Sequence, residues 1–91
     1  MIHVKLTAQL KDWTNGVSSL EMDTVPDLRS MVKKLDARFP GIGHRIVDDQ
    51  EKIRTHVNIF VNSENTKDLQ REMTKLRDGD TVHILPSVAG G

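Results

Sequence analysis

The longest apolar stripe at helical spacing in this chain runs from Leu28 to Phe39. Leu28, Met31, Val32, Leu35 and Phe39 recur at steps of 3, 1, 3 and 4, which lines one side of a helix. Arg29, Lys33, Lys34 and Arg38 fall on the opposite side. Ahead of the stripe, Thr24-Val25-Pro26-Asp27 reads as a capping box: Thr24 takes the cap, Pro26 the first turn, and Asp27 reaches back. Pro40-Gly41 ends the helix. A single helix can shield one face of a sheet and no more. The strands around it must therefore leave a second face to water or to a partner, which selects an α+β fold with a mixed sheet over a doubly wound one.

The strands are legible from period-two alternation. Ile2, Val4 and Leu6 alternate with His3, Lys5 and Thr7, predicting a half-buried strand over 2–8. Gln9 to Gly16 connects it, through an Asn15-Gly16 turn, to a second, antiparallel strand at Val17–Met22. Trp13, inside that connection, is expected as a lid over one end of the core, the alternative being a partner contact. Ile42, Ile46, Val47 and Ile53 predict a short apolar turn or helix and then a short strand, around an exposed turn at Asp48-Asp49-Gln50-Glu51. That acid cluster lacks the spacing and the glycine of a calcium loop. His56 to Asn62 is the clearest later strand, with Val57, Ile59 and Val61 on one face and Asn58 and Phe60 on the other. Asn62-Ser63-Glu64-Asn65 is a turn, and Leu69, Met73 and Leu76 suit a helical or irregular crossover. Asp78-Gly79-Asp80 then turns into a last strand, Val82 to Leu85, which Pro86 ends because it has no N–H to pair.

At 91 residues this is one domain, 1–91, with a modest core and a flexible tail expected at 86–91. Acids and bases balance at 13 each, which removes the general electrostatic case for nucleic acid or an anionic membrane. The chain has no cysteine, so disulfides, thiolate metal sites and cysteine nucleophiles are excluded. With no spanning apolar run and no signal-like start, a cytoplasmic protein is expected. No nucleophile elbow, phosphate loop or zinc-protease motif is present, and nothing argues for an active site complete within the chain. His3 and His83 would lie near each other if the first and last strands are neighbours, but two histidines make a weak metal case, and solvent-facing strand residues are the better account. The basic row on the helix reads as a solvated face or as a docking surface for acidic partners.

Two features point outward. Phe60 and Leu85 fall on the face the helix does not cover; with Val88 they mark a partner surface, unless the 42–53 segment folds over them. After Pro86 only small residues follow, ending on Gly90-Gly91. Without Cβ atoms such an end can enter a narrow channel, so its carboxylate can be handled by another protein; an ordinary frayed terminus is the alternative.

Taken in order, the MIHVKLTAQL opening, the ARFPGI helix end, the HVNIFVNSEN strand and turn, the LRDGDTVHILPSVAGG close and the terminal Gly90-Gly91 resemble the MoaD/ThiS group of ubiquitin-like β-grasp sulfur carriers. The resemblance spans the whole chain and is similar above all to the branch that includes the cysteine-synthesis carrier. It implies a β-grasp sheet of four to five strands, with the first and last parallel and adjacent and one main helix across one face. It implies that Gly91 is adenylated by an E1-like enzyme using ATP and converted to a thiocarboxylate, while the carrier itself binds no cofactor. Gly90, Ala89 and Val88 would form the tail, and Phe60 and Leu85 would dock partners. Those partners would be the adenylating enzyme, a sulfur donor protein, a sulfur-accepting synthase making cysteine or another sulfur-containing metabolite, and a processing or releasing protease. The same fold and ending also serve protein modifiers joined through Gly91, and non-covalent regulatory subunits.

Overall fold

The computed structural model describes residues 1–86, the side chains of residues 8 and 9 excepted. β1 (Ile2–Leu6) buries Ile2, Val4 and Leu6 and exposes His3 and Lys5, as its alternation requires. It is shorter than the predicted 2–8 span. Thr7 turns its hydroxyl onto the Ile84 carbonyl at 3.2 Å, and the chain enters a 3-10 segment, Ala8–Trp13, that buries Leu10. Asn15 and Gly16 both take positive φ, at 54° and 88°, and lead into β2 (Ser19–Met22), antiparallel to β1 with Ile2 opposite Met22.

The helix α1 (Leu28–Arg38) buries Leu28, Met31, Val32 and Leu35. Its cap is Asp27, whose carboxylate accepts from the Ser30 N–H at 2.8 Å, and not Thr24 as the sequence predicts. The cause is tertiary. The backbone before the helix pairs with a distant segment: the Leu76 N–H donates to the Pro26 carbonyl, the Leu28 N–H donates to the Thr74 carbonyl, and Asp27 bridges Lys75. Thr24 instead donates its hydroxyl to Asp78. After α1, Asp36 accepts from the N–H groups of Gly41 and Gly43, and the short α2 (Gly43–Ile46) sends Ile46 into the core beside Ile42. Val47 then bridges Ile53 across the expected turn at 48–51, in which Asp49 and Gln50 are exposed and Asp48 and Glu51 half-buried.

β3 (Val57–Val61) buries Val57, Ile59 and Val61. Asn62 and Ser63, at φ 50° and 77°, form a two-residue turn to a short β4 (Glu64–Asn65), the fifth strand. The crossover that follows is two 3-10 turns, Thr66–Asp68 and Arg71–Met73. Leu69 and Met73 stay exposed there and only Leu76 is buried, because Arg71 at φ 52° breaks any continuous helix. Gly79, at φ 90°, turns the chain into β5 (Thr81–Pro86). The sheet order is β2-β1-β5-β3-β4, with β5 parallel to β1 and antiparallel to β3. Thus α1 covers one face of a mixed five-stranded sheet, and among the described residues no helix covers the other face, the bare face. The architecture is the expected α+β, β-grasp arrangement.

Trp13 does not close an end of the core. Its ring is 39% exposed and lies against Gly41, where a Cβ would come within 2.7 Å of Cζ3, and the Arg45 guanidinium covers it at 4.7 Å from a ring centroid. Gly41 also holds φ 100°, a conformation that costs any L side chain. Gly41→Ala is therefore expected to destabilise the domain by about 1–2 kcal/mol. It should also shift the emission of Trp13, the only tryptophan, in the folded state. Urea unfolding followed by fluorescence checks both.

Candidate docking face and tail base

The bare face is built from the alternate residues of the same strands. Lys5 stands opposite Ser19 on β2 and opposite His83 on β5, and His83 stands opposite Phe60 on β3. Leu85 stands opposite Asn58, one step along from the His83–Phe60 pair. Phe60 and Leu85 are therefore diagonal neighbours on adjacent strands, within reach of each other. Together with Lys5, His83, Thr81 and Asn62 they line one broad depression. Both side chains are half-buried. The 42–53 segment lies on the α1 side, with Ile42 and Ile46 in the core, and so does not cover them. Of the two predicted arrangements, the uncovered apolar pair is the one observed.

β5 is the strand that carries the chain toward its end. β1 supports it only as far as Ile84, opposite Leu6, whereas β3 supports it to Pro86, opposite Val57. The strand thus runs one residue further than the sequence predicts. Proline is tolerated at the last position because the β1 side is already vacant there. Phe60 and Leu85 are brought together beside this exit; Val88, Ala89, Gly90 and Gly91 lie outside the described residues. So do all the tail residues expected beyond Pro86.

His3 and His83 do share the bare face of neighbouring strands, offset by one step, since His3 faces Thr81 and Lys5 faces His83. His3 Nδ1 lies 3.3 Å from Glu21 Oε2. No group of three metal-ligating side chains occurs among the described residues. The basic row on α1 is engaged internally: Arg29 and Lys33 meet Glu51, Lys34 approaches Asp23 at 3.8 Å, and Arg38 donates to the Glu21 carbonyl. Sequence reasoning missed the corner around Pro86, where Trp13, Arg45, Arg54 and His56 gather. They come from three separate stretches, and no spacing in the sequence links them.

Comparison with known proteins decides what these features belong to. The model of the ThiS family matches residues 4–91. The chain belongs to the ThiS family. The sulfur carrier protein CysO of Mycobacterium tuberculosis is 35% identical to it over 94 residues, covering 99% of this chain and 98% of that one. A crystal structure of the Amycolatopsis orientalis BexX/CysO complex contains a chain that superposes with a TM-score of 0.91 at 31% identity, covering all of both chains. The small archaeal modifier protein 1 of Methanosarcina acetivorans superposes at 0.83 with 27% identity, covering 99% of this chain and 95% of that one. Among the described residues of this ThiS-family chain, no helix is long and apolar enough to cross a membrane.

Four carboxylates among the described residues of this ThiS-family domain are held below their ordinary range. The Ser30 hydrogen bonds lower Asp27, the N–H groups of Lys52 and Gln50 lower Asp48, Lys33 and then Arg29 lower Glu51, and the N-terminal ammonium and Thr24 lower Asp78. Each favours the ionised form in the fold. Their stabilisation is present above the ordinary carboxylate range and is lost as pH falls through it toward the folded values. Asp27→Asn keeps an acceptor for the helix but has no proton to take up. Its melting temperature is expected to fall less steeply than wild type below about pH 4, whereas Asp27→Ala loses the cap and about 1 kcal/mol near neutrality. Thermal melts across a pH series separate the two.

Proposed function

We propose that this chain is a sulfur carrier, with Gly91 as the residue whose carboxylate is loaded. The observation that carries the reading is the end-to-end similarity to a sulfur carrier protein, joined to a chain that closes on Gly90-Gly91. The chemistry follows from what a carboxylate lacks. It is a poor acyl electrophile, so an E1-like enzyme attacks ATP with the Gly91 carboxylate, releasing pyrophosphate and leaving an acyl adenylate. The persulfide of a donor protein then displaces AMP, and a second thiol cleaves the resulting acyl disulfide, taking the donor's own sulfur into a disulfide and leaving the thiocarboxylate. The sulfur so held is nucleophilic although the chain has no cysteine. An accepting synthase takes it into cysteine or another sulfur-containing metabolite, and water must be kept from the loaded end meanwhile.

In this division of labour the carrier supplies recognition and reach, and its partners, working in the cytoplasm, supply catalysis. The carrier binds no cofactor itself; ATP belongs to the activating enzyme. Phe60 and Leu85, uncovered beside the strand exit, are the docking contacts, and Val88, Ala89 and Gly90 thread the tail. A protease completes or releases the end where a longer precursor or a conjugated product requires it. A second reading is conjugation to other proteins through Gly91, supported by the likeness to a small archaeal modifier protein.

Intact mass of the protein from its own host, handled without reductant, is the direct test. A species heavier by the difference between sulfur and oxygen, absent after deletion of Gly91, is the expected result. A chain that stays unmodified even with the adenylating enzyme, a sulfur donor and ATP overturns the carrier reading, and recovery in isopeptide conjugates favours the modifier reading. For docking, Phe60→Asp is expected to weaken binding to the adenylating enzyme at least about tenfold, since a charge would be carried into an apolar contact, at a temperature where circular dichroism shows the variant folded. Calorimetry of the two proteins checks this.

A further inference from the structure

Where β5 leaves the sheet, the bare face gives way to a cleft of different character. One depression is walled by Trp13, Arg45, Arg54 and His56. A second, walled by Trp13, Arg45, His56, Asp12 and Pro86, shares three of those residues and so continues it up to the last described residue of the strand. Neither arginine is free to wander. The Arg45 guanidinium stacks 4.7 Å from a ring centroid of Trp13, and the Arg54 Nε–H donates to the His44 carbonyl at 2.7 Å. Among the described residues neither has a carboxylate at ion-pair distance, in contrast to Arg29, Lys33 and Lys34 on α1; Arg54 acts on Asp48 only through space.

A guanidinium held in place before its partner arrives loses little freedom on binding, and its planar fork matches a carboxylate. Trp13 adds a half-open planar wall, and tryptophan and arginine are the residue types that dominate binding hot spots. Nucleic acid fits this surface less well. The chain has no net charge, and Trp13 is the one Phe, Tyr or Trp side chain lining the cleft, beside His44 and His56.

We infer that the Trp13–Arg45–Arg54 cleft seats an acidic segment, aspartate- or glutamate-bearing, of the protein that receives the tail. The existence of a receiving protein rests on the carrier reading above; the preference of the cleft for carboxylates does not. Seating there would fix the direction in which the chain leaves Pro86 and would complement the apolar contact at Phe60 and Leu85. Asp12, the one acid lining the two depressions, lines the one that reaches Pro86, and the one that holds Arg54 is lined by no acid.

The first test uses the full chain and a hexaglutamate peptide, followed by nuclear magnetic resonance at low ionic strength. Saturable shifts of the Trp13 indole N–H and of the Arg45 and Arg54 Nε–H signals are expected, suppressed by added salt. Arg45→Glu with Arg54→Glu should weaken this binding at least about tenfold. Arg45→Gln with Arg54→Gln serves as the control should reversal of charge disturb folding, and should weaken it in the same sense. Shifts confined to the α1 row, no shifts at all, or tighter binding of a short oligonucleotide would overturn the inference. The second test measures affinity for the adenylating enzyme and for the sulfur-accepting enzyme. If the chain is adenylated normally but the double variant binds both enzymes as wild type does, the cleft proposal falls and the carrier reading stands. If hexaglutamate binds the cleft but the chain is never adenylated, the carrier reading falls and the carboxylate preference stands.

Discussion

The parallel pairing of β1 with β5 is the constraint on which the rest depends. It joins residues nearly a full chain length apart and places β5 between β1 and β3, so the strand that leads to the tail is supported on both sides for most of its length. Every later feature follows from that placement. The buried sides of these strands, Val4, Val82 and Ile59, supply the floor on which Leu28, Met31 and Leu35 of α1 rest. Their other sides are forced outward, where no α-helix among the described residues receives them.

That imbalance separates two tasks. The covered face holds the fold together through buried aliphatic side chains, which contribute about 1.5–3 kcal/mol each when fully removed from water. The bare face and the corner at Pro86 contribute less to stability and are available for contact. Substitutions there can change partner preference with little effect on folding, and this is the arrangement expected of a protein that is handled by others.

Much of this architecture is readable from the residues alone. Period-two alternation placed the apolar sides of β1, β3 and β5 correctly, the 28–39 stripe marked α1, and Asn15-Gly16 and Gly79 took the backbone conformations their chemistry suggests. Where the residues alone misplace a feature, contact between distant segments is the cause. Thr24 has the right spacing for a cap, but pairing of Pro26 and Leu28 with residues 74–76 keeps the backbone extended for longer and hands the cap to Asp27. The crossover is the irregular one that the spacing of Leu69, Met73 and Leu76 allows, two 3-10 turns with Arg71 at positive φ, and it leaves Leu69 and Met73 in solvent. Phe60 and Leu85 were identifiable because strand alternation alone decides their side of the sheet. The Trp13 corner was not, because it is assembled from residues about 30 and 40 apart in sequence with no repeating pattern to connect them.

A sheet with one uncovered face also has two uncovered margins, and an open margin is an invitation for copies of a protein to zip together. Here both margins are blunted. On one side β4 is only two residues long, too short to template another strand. On the other, β2 carries exposed Glu21, and its carbonyl already accepts from the Arg38 guanidinium reaching across from the helix. Arg38 thus guards against fibre-like association while belonging, by sequence, to an ordinary polar helix face. The chain can keep half of its sheet open for encounters with other proteins because its flanks give neighbouring copies so little backbone to grasp.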